Sequence, residues 1–130
     1  MPAFMLVLIH DLIRRPRNRE ENTVNHSTHG WDIGRFDKID WVPWDAGDNA
    51  RAKVLAVADG FHVALVEAGA GYRGGVHEHA HPEFVYVVDG ELRTQGHTMT
   101  AGDAYAASAG STHTDFTVGS GATYLLVFKL

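Results

Sequence analysis

The chain has 130 residues, a formal net charge of −5 and a sequence pI near 5.9, a size that suits one domain burying roughly two-thirds of its unfolded surface. Its 11 Lys and Arg residues gather only at residues 14–19, bordered by Glu20 and Glu21, a pattern of a solvated linker that gives no reason to expect nucleic-acid binding. Cysteine is absent, which excludes disulfides, thiolate-bound iron–sulfur clusters, an all-thiolate zinc site and a cysteine nucleophile.

Residues 1–30 are expected as an N-terminal extension to a single domain at 31–130. The apolar run 4–9 lacks the basic start and small-residue cleavage site of a signal peptide, and it is far too short to cross a membrane. Cytoplasmic residence is the default. The run is expected either as a strand added to a neighbouring subunit's sheet or as an unstructured leader, and six consecutive apolar residues are costly to leave in water, which favours the strand. His26 and His29 share a stretch of Asn, Ser, Thr and Gly that predicts a loop, not a second metal site. Trp31, Trp41 and Trp44, mixed with Ile33, Phe36, Ile39 and Val42, are expected as packing anchors.

From residue 53 onward the pattern is β-rich. Residues 53–58, 61–67, 83–89, 103–107 and 123–129 are short runs of Val, Leu, Tyr and Phe separated by Gly, Asp or Ser. Asp59–Gly60 predicts a two-residue hairpin, and Asp89–Gly90 predicts another that folds residues 83–89 onto 91–94. His62 and His97 are expected as structural or exposed.

Residues 71–90 carry the chemistry. Side chains alternate along an extended strand, so His77 and His79 share a face and Glu78 takes the other. Pro82 cannot donate to a ladder, so a turn is expected at 80–82, with Glu83 opening the next strand across from the two histidines. His81 shares the alternation but sits beside Pro82, and is expected at the rim. Two imidazoles and a carboxylate suit iron(II), manganese(II), nickel(II), cobalt(II) or zinc(II). A fourth donor is offered downstream by His113, which follows a turn predicted at 108–112.

These two segments resemble the two motifs of the cupin superfamily. The first, a glycine, five residues, His-x-His, three residues, a glutamate, six residues and a glycine, is filled by Gly71, His77, His79, Glu83 and Gly90. In the second, Gly102, Gly110 and His113 fall in register, with Ser108 in place of the proline and Thr117 in place of the asparagine. The likeness extends over residues 39–130.

The resemblance implies an all-β, small antiparallel jelly-roll barrel. It also implies one divalent metal ion per chain, iron(II) first, held by His77, His79, Glu83 and His113. A homodimer and a small-molecule substrate or ligand are implied too, with no nucleic acid and no membrane. The activity implied first is an iron(II)-type dioxygenase of a small enolisable or phenolic compound. Oxygen-independent lyase, isomerase or cyclase chemistry is the alternative, and a small-molecule or sugar sensor is the non-enzymatic one. Glu83 and Tyr105 are the candidate catalytic groups, whereas Tyr86 faces away. Val85 and Val87, with Phe61, Val63 and Leu65, are expected to wall an apolar pocket.

Overall fold

The computed structural model describes residues 29–45 and 49–130. The expectations on residues 4–9 and on His26 lie outside them. Ten antiparallel strands form the fold: β1 (Val42–Pro43), β2 (Ala50–Ala58), β3 (Phe61–Gly69), β4 (His77–Glu78), β5 (Glu83–Thr94), β6 (His97–Thr100), β7 (Ala104–Ala107), β8 (Thr112–His113), β9 (Phe116–Thr117) and β10 (Gly121–Lys129). One curled sheet runs β1-β2-β3-β10-β5-β6, with β7 and β9 also paired to β5, while β4 and β8 pair separately. This is the expected small jelly roll. Among the described residues the only helical element is a 3-10 turn at Phe36–Lys38.

Asp59 and Gly60 have φ of 51° and 80°, and Ala58 pairs with Phe61. Both turn residues therefore take the positive φ that a two-residue hairpin needs. A second such hairpin joins β5 to β6 through Gln95 and Gly96, at φ 50° and 76°, with Thr94 paired to His97.

The hairpin expected at Asp89–Gly90 does not form. Gly90 has φ 79°, but Asp89 is not in the positive-φ region, and β5 continues unbroken through both. Val88 is bulged out where Thr123 pairs with Asp89 and Tyr124 with Val87. A bulge of this kind bends a strand. Gly90 sits where β10 crosses: a Cβ there would run into the Gly121 carbonyl and lie 2.9 Å from Ala122 Cα. Beyond the bend β5 changes partners. Residues 83–86 pair with β7 and residues 91–94 with β6, so this strand joins the two sides of the curled sheet.

The core lies within the curl. Alternation puts Ala122, Tyr124, Leu126 and Phe128 of β10 inside, with Val85, Val87 and Leu92 of β5 beside them. On β3 the inward residues are His62, Ala64, Val66 and Ala68. Phe61, Val63 and Leu65 therefore face outward and do not wall a pocket. Strand alternation supplies a period but not a phase, and here the larger apolar side chains occupy the outer face. His62 is stacked on Phe128 at 5.2 Å between ring centroids, as a structural residue. Trp44 is buried against Phe128, and Trp41 is half-buried with the Arg51 guanidinium 4.0 Å above its ring. Trp31 is 77% exposed, so it does not anchor packing among the described residues.

Candidate metal centre

β4 and β8 are only two residues long, yet their register sets the site, because His77 lies directly opposite His113. The pairing continues past β4: the His79 N–H donates to Ser111 O at 2.8 Å, and His79 O accepts from Gly110 N–H at 2.7 Å. Gly110, at φ 85°, belongs to the turn that delivers His113 to its strand. Pro82 ends the loop as expected, and Glu83 begins β5 with its side chain buried. His77, His79 and His113 come together, with one ring nitrogen from each within 4.8 Å of the others. Ring centroids are 4.8 Å apart for His77 and His79, 5.1 Å for His77 and His113, and 5.4 Å for His79 and His113.

Glu83 places a carboxylate oxygen against two of these rings. Its Oε2 is 3.0 Å from His79 Nε2 and 3.7 Å from His113 Nδ1. Tyr105 donates its hydroxyl to the same oxygen at 3.1 Å. Tyr105 thus lies beside Glu83, and Tyr86 is exposed on the other face. His81 is half-buried at the loop, and His97 is exposed.

Hydrogen-bond partners fix which nitrogens are available. His77 Nδ1 is 2.9 Å from Gly75 O, a carbonyl that can only accept, so Nδ1 carries the proton and Nε2 the lone pair. His79 Nδ1 lies 3.0 Å from Ser111 Oγ, and His113 Nε2 lies 2.7 Å from Thr94 Oγ1. The remaining nitrogen of His113, Nδ1, is buried without a hydrogen-bond partner among the described residues. A buried orphan acceptor is costly unless something cationic meets it.

Burial lowers the pKa of both His77 and His113 from the ordinary imidazole value, an effect opposed only in part by the Gly75 carbonyl at His77 and by the charge of Glu83 at His113. Neutral imidazoles with free lone pairs are what a divalent ion requires. Burial, followed by the charge of Glu83, raises the Tyr105 pKa far above the ordinary phenol value and keeps its proton in place. Donors held at about 2.1 Å from one ion lie roughly 3.0–3.4 Å apart. The Glu83–His79 separation of 3.0 Å falls in that range, the Glu83–His113 separation of 3.7 Å lies just beyond it, and the three ring nitrogens, within 4.8 Å of one another, are near enough that the three histidines could hold a metal by closing in on it.

Two spaces adjoin the triad. A small space of about 40 Å³ is bounded by His77, Glu83, His113, Tyr72, Tyr105 and Tyr124, about the room of an ion or one or two waters. A cavity of about 700 Å³, in the size range of small-molecule sites, shares His79, His113 and Tyr105 as wall and continues past Ser111, Thr94 and Met99. Ser111 and Thr94 escape a motif-based reading of the sequence. Thr94 could have been found by stepping in twos from the inward Leu92, and Ser111 only by knowing how the turn closes.

Among the described residues no helix is long and apolar enough to cross a membrane. No curated protein sequence matches the chain. Several solved structures share its fold at low identity. An RmlC-like cupin from Shewanella frigidimarina is 22% identical, with 75% of this chain and 88% of that one aligned at a TM-score of 0.65. An acetylacetone dioxygenase from Acinetobacter johnsonii is 18% identical, with 75% of each chain aligned at 0.64. The Rhodobacter sphaeroides complex of SigE with the anti-sigma ChrR contains a chain 17% identical, aligned over 99% of this chain and 67% of that one at 0.61. The profile of the ChrR cupin-like domain matches residues 31–129, and the chain belongs to that cupin family.

Proposed function

We propose that the protein holds one divalent metal ion on His77, His79, His113 and Glu83, and uses it in oxygen-dependent cleavage of a small enolisable compound. The observation that carries the metal centre is the buried, unpartnered Nδ1 of His113 facing Glu83. Three neutral nitrogens and one carboxylate leave a divalent ion with net positive charge, which favours an anionic enolate or phenolate ligand. An iron(II) ion held by these residues would supply the capacity for dioxygen chemistry on a chelating substrate. Around it Tyr105 keeps its proton and bonds the Glu83 carboxylate, and the cavity beside His79, His113 and Tyr105 gives an organic molecule room to approach. The acetylacetone dioxygenase supports this reading at the level of fold alone.

Protein purified without oxygen should contain close to one equivalent of metal per chain, and His77→Ala and His113→Ala should each lose most of it. Iron-loaded protein should consume dioxygen with a diketone, hydroxyketone or flavonol. Metal content unchanged in both variants would remove the site. Metal binding without oxygen uptake would remove the dioxygenase and leave the second reading, a metal-dependent sensor module, favoured by the family match to the ChrR cupin-like domain.

A further inference from the structure

The hydroxyls behind two of the rings are already committed as donors. Thr94 Oγ1 gives its proton to Asp115 O at 2.9 Å, and Ser111 Oγ gives its proton to Ser108 O at 2.6 Å. A hydroxyl has one proton, so toward histidine each can only accept. His113 must therefore carry its hydrogen on Nε2 and His79 on Nδ1. The nitrogens left without a hydrogen bond among the described residues are Nε2 of His77 and Nδ1 of His113, while Nε2 of His79 is hydrogen-bonded to Glu83 Oε2 at 3.0 Å, a bond that an ion between the two would replace.

We infer that Thr94 and Ser111 are positioning residues that impose a mixed donor set on the proposed metal centre, Nε2 from His77 and His79 but Nδ1 from His113; the inference rests on that metal reading. Turning the His113 ring over would put a C–H group against Thr94 Oγ1 and another toward Glu83, losing the hydrogen bond and the donor together. Thr94 is 5% exposed, so water does not replace that bond. The segment bearing His113 is held as well: Gln95 Nε2 donates to Thr112 O, and Gln95 Oε1 accepts from the backbone N–H and hydroxyl of Thr114, each at 2.7 Å, with the Asp115 N–H farther off at 3.4 Å. Thr94 and Ser111 also line the larger cavity, so the groups that aim the rings are the ones a molecule there would touch.

Long-range proton–nitrogen correlation spectra of zinc-loaded, histidine-labelled protein separate metallated Nδ1 from metallated Nε2. Two metallated Nε2 signals and one metallated Nδ1 signal are expected; three Nε2 signals would overturn the inference. Zinc affinity by chelator competition should fall 10–100-fold in Thr94→Val, a usual penalty for losing an orienting partner, and return to within a few-fold of the parent in Thr94→Ser. Ser111→Ala should fall about 10-fold by the same principle. Parent-like affinity in both Thr94→Val and Ser111→Ala would overturn the positioning role while leaving the metal centre standing. Failure of the parent protein to bind zinc would remove the metal centre and this inference with it.

Discussion

The two glycines that bound the first histidine-bearing segment offer a controlled test of the fold. Gly71 and Gly90 have nearly the same backbone, φ 81° and 79°, so replacing either with alanine costs a similar left-handed strain of about 1–2 kcal/mol. Their surroundings differ. A Cβ on Gly71 meets nothing within 4 Å, whereas one on Gly90 meets the β10 backbone at Gly121 and Ala122. Those are main-chain atoms, so relief requires β10 to move off the bend in β5. Losing two ladder hydrogen bonds there costs about 0.5–1.5 kcal/mol each. Gly71→Ala should therefore destabilise by about 1–2 kcal/mol, and Gly90→Ala by about 3–5 kcal/mol, from the strain and hydrogen-bond terms together with lost packing. With a urea slope of about 1.5 kcal/mol/M, the two midpoints should differ by roughly 1–2 M. Midpoints that coincide would show that β10 does not close on Gly90 and that the strand crossing is wrong.

Other perturbations bear on the site and its frame. Because burial lowers the pKa of His77 and His113, the native state binds fewer protons than the unfolded chain as pH falls below about 6.5. Their contribution to stability is complete above that value and is lost on acidification, so metal-free protein should have a lower urea midpoint at pH 5.5 than at pH 7.5; an equal or higher one would refute the buried neutral rings. Glu83→Gln should reduce metal content less than His113→Ala does, since it removes charge while keeping an oxygen donor, and elemental analysis of the two variants decides the order. Leu92→Ala, at a position with no exposed surface, should destabilise by about 2–5 kcal/mol in chemical denaturation. Glu67→Gln breaks the Arg51–Glu67 pair, whose side chains are 53% and 40% exposed, and should change stability by less than about 1 kcal/mol.

What the sequence made legible depends on how local each cause is. The Asp59–Gly60 hairpin and the turn before Glu83 are decided by residues inside the turn, and both appear where their chemistry places them. Asp89–Gly90 carries the same dipeptide as the first hairpin, yet its role is set by β10 crossing from more than thirty positions downstream, so the same two letters mark a bend in one long strand. The facing of β3 was hidden for a related reason. Inside the curl Ala64 pairs with Leu126, Val66 with Tyr124 and Ala68 with Ala122, so small side chains of β3 lie beside larger ones of β10 at two of these three positions. Hydrophobicity alone reads that strand in the wrong phase, because the core there asks for little volume. The site follows the same rule. Three histidines and a glutamate stand out by type and spacing, whereas Thr94 and Ser111 are ordinary residues until the strands close and their single protons are assigned to Asp115 O and Ser108 O. Only then does it follow that His113 offers Nδ1, a consequence of hydrogen-bond counting between the end of β5 and the segment 113–115 that no single motif encodes.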